Sequence, residues 1–453
     1  METVTLLDQS VFEAIERGVW ECLAAESVPG AAVAVVQDGE VVYANGFGFA
    51  DLQTRTPVTA DTVFGIGSVG KSVTAMAAMQ LVEAGQLSLD TPIIELIPEL
   101  LLPDMEMARA ITVRHLLSHS SGLPVLPVLE IALGWLDYPG RIETLDHLLG
   151  YLATMDERPA GQPGERFSYS NDGYALAGAV IERVSGTPYA RYIEEQVFHP
   201  LGMTRSTLAD PTTLAWEDVT SLYEYDDASS HPEPILRPAW PSSPLIAPAG
   251  MHRSTANDMA RYLIGQLAGL PGVSEDGRTL LHEPVIARDS ASWYALGWGV
   301  TPDYRGERML AHSGGITGVS CHAILLPERR TGVVVLLNVS GGPSREIAEV
   351  VIERLLDLPD VDPIDTYVPS AEQLERAEGV YLFGRRLVTI ERDGPSLTIH
   401  VGDKPSAVMQ PLGRDEYRAA LDRRVVPVVF PASDAGDRAE LLSLMGRVCW
   451  RVG

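Results

Sequence analysis

The sequence predicts an α+β protein: an antiparallel sheet flanked by helices, a helical subdomain set into it, and a small C-terminal β-barrel-like domain. Three patterns predict this. A β-hairpin near the start is matched by another far downstream, the stretch between them is mostly helix-patterned, and the last part of the chain is a series of short alternating strands.

Phe12, Ile15, Val19, Trp20 and Leu23 recur at three- and four-residue spacing and predict an N-terminal helix with one apolar face. In AAVAVVQDGEVVYANGFG two β-prone runs flank Asp38-Gly39, a dipeptide whose backbone tolerates the positive φ of a tight type I′ turn. Residues 68–205 then combine apolar helical periodicity with Gly or Asp stops, as in SVGKSVTAMAAMQLVEAGQLSLD, ITVRHLLSHSSGL and NDGYALAGAVIERVSG. Residues 206–250 are rich in Pro, Ser, Asp and Tyr, and an irregular segment of this length is expected to form the wall of a substrate pocket. SCHAILLP and TGVVVLLNVS around Glu328-Arg329-Arg330 predict the second hairpin, and SREIAEVVIERLLD a helix packed on the same sheet. Proline and aspartate in DLPDVDPIDTYVPS (357–370) mark a linker, and YLFGRRLVTIERDGPSLTIHV with the segments after it has barrel-like patterning. The expected division is a sheet-and-helix domain over residues 1–362 and a β domain over 363–453.

Composition narrows the function. At 453 residues with 45% hydrophobic and 21% charged residues the chain is long enough for more than one core. A net charge of −27 with scattered acids argues against nucleic acid and anionic membranes, and no apolar run is long enough to span a bilayer. The N-terminal residues lack a basic stretch followed by an apolar run, and Cys22, Cys321 and Cys449 are widely separated, so a cytoplasmic protein with free, structural thiols is expected.

Only two lysines occur among the 34 basic residues, which draws attention to Ser68-Val69-Gly70-Lys71 at a loop-to-helix junction. On one helical face Ser68 and Lys71 touch, and a serine hydroxyl needs such a base before it can act as a nucleophile. The tetrad alone is weak, since a serine three residues before one of two lysines arises by chance roughly once in ten chains; the plain reading is a solvated lysine. The same stretch, Gly65 to Ser72, also satisfies the phosphate-cradling pattern G-x-x-x-x-G-K-[ST]. That rival needs a buried parallel strand before Gly65 and a later strand ending in Asp. Only Val63-Phe64 precede Gly65, and neither AILLPE nor VVVLLN ends in Asp.

Two later motifs favour the hydrolase. Tyr169-Ser170-Asn171 opens a helix; Ser170 or Asn171 there serves as an N-cap on the plain reading, while a phenol beside a lysine can shuttle protons. His312-Ser313-Gly314-Gly315 precedes the strand CHAILLP, and glycine there lets a backbone amide approach a ligand.

S-x-x-K, then Y-x-N, then H-S-G before a late strand resembles the β-lactamase-related serine hydrolases with a β-lactamase/transpeptidase-like fold. The resemblance covers about residues 10–357 and includes RHLLSHSSGLP, APAGMHRSTANDMARYL, ALGWG and AHSGGITGVSCHAILLPE. It implies that Ser68 attacks a carbonyl, that Lys71 and Tyr169 share the base and acid roles, and that Asn171 orients Lys71 and the substrate amide. It also implies an oxyanion hole from the amides of Ser68 and Gly315, with His312, Ser313 and Gly314 beside the substrate. His312 stands where β-lactamases have lysine, which points away from penicillin hydrolysis, and Gly70 stands where Ser or Thr is usual, which is expected to loosen the first helical turn slightly. The expected substrate is a small molecule or short peptide cleaved at an amide or ester, with no cofactor and no metal; a peptidase leads, ahead of an esterase or acyltransferase. A homo-oligomer is compatible, and a nucleotide hydrolase or a non-catalytic binding protein are the readings from other classes.

His115 and His119 are four apart, but with no third ligand nearby a packing or capping role is expected. Trp293, Tyr294 and Trp298 read as core, and Tyr223 and Tyr225 lie on the expected wall. The C-terminal domain resembles the lipocalin-like barrels attached to some CubicO-type peptidases.

Overall fold

The computed structural model describes residues 9–452, apart from 137–139, 141, 227–232, 238, 357, 359–366, 422–423 and 432–437. The chain forms two compact units: Met1–Leu89, Tyr174–Pro284 and Ala295–Pro359 make the first, and Asp90–Gly173, Val285–Tyr294 and Asp360–Gly453 the second. The linker expected at 357–370 lies for the most part outside the described residues.

Helix α1 (Gln9–Ala25) buries Ile15, Val19 and Leu23, the three-and-four spacing that predicted it. Trp20 departs from the expectation: it is 51% exposed and lies edge-on to Phe47, because one step of helix past Val19 carries it to the margin of the apolar stripe. β1 (Gly30–Gln37) and β2 (Glu40–Asp51) are joined at Asp38 and Gly39, whose φ values of 51° and 86° are those the I′ turn requires. β3 (Thr56–Pro57) pairs on the outer side of β2. There follow α2 (Gly70–Glu83), α3 (Asn171–Ser185), the short α4 (Ala247–Gly250) and α5 (Ala256–Ala268). Further strands of the sheet are β4 (Gly299–Tyr304), β5 (Glu307–Ile316), β6 (Val319–Leu326) and β7 (Thr331–Leu337), after which α6 (Ser344–Leu355) follows.

These strands lie in the order β3-β2-β1-β7-β6-β5-β4, antiparallel throughout. β1 pairs with β7 with Ala34 opposite Val334, so both ends of this segment share one sheet, as the two hairpins predicted. β6 and β7 are buried at every position, which reads in sequence as unbroken apolar runs and requires cover on both faces. On one face Ile15 and Val19 of α1 and Ile347 and Val351 of α6 join Val33, Val35, Ile324 and Val333 in a single core.

The expected wall segment is irregular but well anchored. Leu222–Tyr225 and Pro234–Arg237 pair as a hairpin, and buried Tyr223 accepts a hydrogen bond from Leu52 N–H at 2.7 Å, so it serves the fold. Arg253, 2% exposed, donates to the carbonyls of Leu208 and Met251 at 2.6 Å and of Pro241 at 2.5 Å. Burial pushes its guanidinium down to about 10, and three carbonyl acceptors offset that desolvation.

In the second unit, short helices occupy the 90–173 stretch, among them Val113–Leu117, where Thr112 Oγ1 accepts from His115 N–H and His115 Nδ1 accepts from Thr112 N–H. That capping box explains His115 without a metal. The C-terminal strands are β8 (Gly379–Phe383), β9 (Arg386–Asp393), β10 (Ser396–Val401), β11 (Ala407–Gly413), β12 (Glu416–Leu421), β13 (Arg424–Val429), β14 (Leu441–Leu444) and β15 (Arg447–Arg451). They close into an eight-stranded barrel, fulfilling the barrel-like expectation. Its inside is side chains, including Tyr381, Ile390, Ile399, Met409, Tyr417 and Phe430.

Candidate active site

Phe64-Gly65 pairs antiparallel with Arg253-Ser254, and Ile66 N–H donates to His252 O at 3.0 Å. The chain then turns through a single 3₁₀ turn, Gly67–Val69, directly into α2. Gly67 has φ 50°, and a Cβ there would stand 2.6 Å from Gly315 N, so both conformation and space demand glycine. Ser68 therefore sits in the turn that opens a helix, where the positive end of the helix dipole favours developing negative charge.

Lys71 is fully buried. Its Nζ lies 3.0 Å from Ser68 Oγ and 2.6 Å from Ala249 O, and 5.3 Å above the Tyr174 ring. The Ser68–Lys71 contact is the one the three-residue spacing predicted, and it is within proton-transfer distance. The neighbouring residue disfavours the nucleotide-binding pattern: Ser72 Oγ, which such a loop turns toward magnesium, donates back to Val69 O at 2.7 Å. Phe64-Gly65 is a two-residue antiparallel pair, and the parallel bridge of Val63 with Val219 just before it is isolated, not a buried parallel strand.

β5 crosses this turn with its glycines. A Cβ on Gly314 would be 2.0 Å from Ile66 O and 3.1 Å from Ser68 N, so only a bare backbone fits. The structure thus brings Ser68, Lys71, Gly314 and Gly315 together. His312, two residues along and on the same strand face as Gly314, is 7% exposed. Its Nδ1 is 2.7 Å from Ser313 O, which requires that nitrogen to carry a proton. Ser313 Oγ is 2.8 Å from Nδ1 of His322, an imidazole that burial pushes down to about 3 and so keeps neutral.

Tyr169 and Asn171 stand in the second unit, and each neighbour of Tyr169 described next is there as well. Tyr169 N–H donates to Gly446 O at 2.8 Å, in the turn between β14 and β15, and the Arg447 guanidinium lies 5.0 Å over its ring. From the other direction His119 packs at 4.1 Å between ring centroids. His119 O accepts from Ser168 N–H at 2.8 Å, and its Nδ1 accepts from Ser170 N–H at 3.0 Å. His119 achieves this at φ 58°, an uncommon backbone for a residue with a Cβ. Ser170 Oγ accepts from Gly173 N–H at 2.9 Å, so Ser170 is the cap of α3 and Asn171 is not needed for it. Tyr294 completes an aromatic cluster with His119 and Phe167. Trp450 Nε1–H donates to Pro159 O at 2.8 Å, a further tie between the barrel and the segment leading to Tyr169.

Sequence reasoning overlooked His252, the Ala249 carbonyl and Arg447. Only His252 left a signal, the missing side chain at Gly70: a Cβ there would lie 2.2 Å from His252 Nδ1. A backbone carbonyl contact and a cation brought in by a distant hairpin leave none.

The fold is that of the β-lactamase-related serine hydrolases, and comparison with known proteins agrees. The chain belongs to the beta-lactamase family, whose pattern matches residues 12–356. It is 31% identical over 360 residues to penicillin-binding protein 4 of Amycolatopsis lactamdurans, covering 76% of this chain and 90% of that protein. An unguisins hydrolase of Aspergillus violaceofuscus is 27% identical over 421 residues, covering 85% and 72% respectively. Among solved structures, the octameric penicillin-binding protein homologue of Pyrococcus abyssi superposes with a TM-score of 0.71 at 28% identity, over 97% of this chain and 99% of that one. SurE with D-Leu superposes with 0.74 at 25% identity, over 98% and 100%.

Proposed function

We propose that the chain hydrolyses a small amide or short peptide through an acyl-enzyme on Ser68. The observation that carries this is the 3.0 Å contact between Ser68 Oγ and the buried Lys71 amine. In this reading Lys71 and Tyr169 take the hydroxyl proton as Ser68 adds to the substrate carbonyl, then pass it to the leaving amine. The amides of Ser68 and Gly315 stabilise the oxyanion, Asn171 orients Lys71 and the substrate amide, and His312, Ser313 and Gly314 line the bound chain. Water then attacks the ester by the same steps in reverse. A substrate built from amino acids is favoured over other amides because one superposed structure holds D-Leu, which makes a D-residue at the cleaved bond the first to try.

A fluorophosphonate probe tests the reading. One adduct on Ser68 by intact mass and peptide mapping, absent in Ser68→Ala, is expected; an unlabelled, folded protein that turns over no ester would favour a non-catalytic binding role. Esterase or acyltransferase chemistry uses the same groups, so rates on D- and L-aminoacyl amides against p-nitrophenyl esters separate these activities. The octameric homologue supports a homo-oligomer, to be read by light scattering, and three free cysteines support a reducing compartment.

A further inference from the structure

Gly70 begins the nucleophile's helix without a side chain, and His252 fills the vacant space. The His252 ring is 1% exposed, and the 2.2 Å from its Nδ1 to a Cβ on Gly70 is closer than any non-bonded pair tolerates. The two positions are complementary: a hydroxyl residue at 70 and an imidazole at 252 exclude each other.

Hydrogen-bond directions around His252 follow from counting protons. Thr74 has one hydroxyl proton, and its nearest carbonyl is Pro248 O at 2.7 Å. Tyr189 OH, 2.7 Å from Thr74 Oγ1, must then donate to Thr74, which leaves the phenol oxygen to accept from His252 Nε2 at 3.2 Å. His252 therefore carries a proton on Nε2, and Nδ1, buried without a hydrogen-bond partner, faces Gly70. Burial, then Arg253 and Lys71 nearby, push the imidazole down to about 3; Phe198 packs edge-on at 6.2 Å. The series His252→Tyr189→Thr74 ends on the Pro248 carbonyl in α4, and the next carbonyl, Ala249 O, is the one 2.6 Å from Lys71 Nζ.

We propose that His252 is a positioning residue for acylation: through Tyr189 and Thr74 it holds α4 so that the Ala249 carbonyl fixes the Lys71 amine against Ser68. This rests on the reading of Ser68 and Lys71 as nucleophile and base. His252 touches neither substrate nor the reacting atoms, and it acts by setting where the lysine's acceptor stands.

The test uses the full chain, with a fluorophosphonate for the acylation rate and p-nitrophenyl acetate for kcat, KM and the pH profile. His252→Leu keeps bulk but removes the donor. The expected result is an acylation rate about tenfold to a hundredfold lower, KM little changed, and a displaced acid limb of the kcat profile. His252→Gln, whose amide can donate to Tyr189, should recover most of the rate, and Tyr189→Phe should match His252→Leu with no further loss in the double variant. Gly70→Ser should be impaired alone and improved by adding His252→Ala. Wild-type acylation and an unmoved pH profile in both His252→Leu and Tyr189→Phe would overturn the inference, and Tyr189→Phe decides alone if His252→Leu does not fold. Ser68→Ala separates the two failures: turnover there sinks the nucleophile reading, whereas a dead Ser68→Ala beside wild-type Tyr189→Phe sinks only the role of His252.

Discussion

The Ala249 carbonyl oxygen stands 2.6 Å from Lys71 Nζ, nearer than the Ser68 hydroxyl at 3.0 Å. A carbonyl can only accept, so one amine proton is committed to Ala249 and the nitrogen is aimed by that bond toward Ser68. Lys71→Met keeps length and removes the proposed base. We expect kcat to fall by about 10²–10⁴, with the protein still folded by circular dichroism; an unchanged acylation rate by stopped flow would remove Lys71 from the mechanism.

Gly67→Ala tests the proposed oxyanion geometry. The left-handed φ of 50° and the 2.6 Å approach to Gly315 N both oppose a methyl group, so the β5 backbone must move away from the nucleophile turn. Loss of one oxyanion donor costs about 10²–10³ in kcat, and the strained backbone should destabilise the fold by more than about 1 kcal/mol. Kinetics and a urea melt on the same preparation measure both.

Three buried histidines make stability depend on pH. His252, His282 and His322 are each pushed by burial down to about 3, from an ordinary 6.5. Between those values the unfolded chain takes up protons that the folded chain refuses. Stability is thus complete above about pH 6.5 and lost as pH falls toward 3, with a slope of up to about 1.4 kcal/mol per pH unit per histidine. The urea midpoint should be lower at pH 5 than at pH 7. His282 Nε2 is 2.8 Å from Gln266 Oε1, and His282→Gln, which keeps a donor there but does not titrate, should make the dependence shallower.

Arg447 offers a test of whether the barrel serves catalysis. Its guanidinium lies 5.0 Å over the Tyr169 ring, a contact type worth about 0.5–1 kcal/mol at exposed sites. If Tyr169 moves protons, Arg447→Ala should lower kcat about two- to fivefold while leaving the melting temperature within a degree or two. A kcat identical to wild type would make the barrel contact a matter of packing only.

Much of this was readable in the chain because the signals are local. Asp38-Gly39 can hardly be anything but a tight hairpin turn, and Ser68 and Lys71 meet because three residues make almost one helical turn. Trp20 misled because periodicity does not locate the edge of a buried stripe. The positions of His252, Ala249 and Arg447 were illegible for another reason: each reaches its partner through the tertiary fold, across long sequence separations. His119 shows the same limit. Its pattern suggested packing or capping, and the structure adds a backbone and a ring bond to the segment on either side of Tyr169.

The pairing of Gly70 with His252 also constrains history. A side chain at 70 and an imidazole at 252 cannot coexist without a clash, so any ancestor with serine or threonine at 70 had to pass through glycine there before histidine could settle at 252. Reversion is blocked in the same way: restoring the hydroxyl first meets the ring. Substitutions sampled singly at position 70 would report intolerance, although the pair could exchange together.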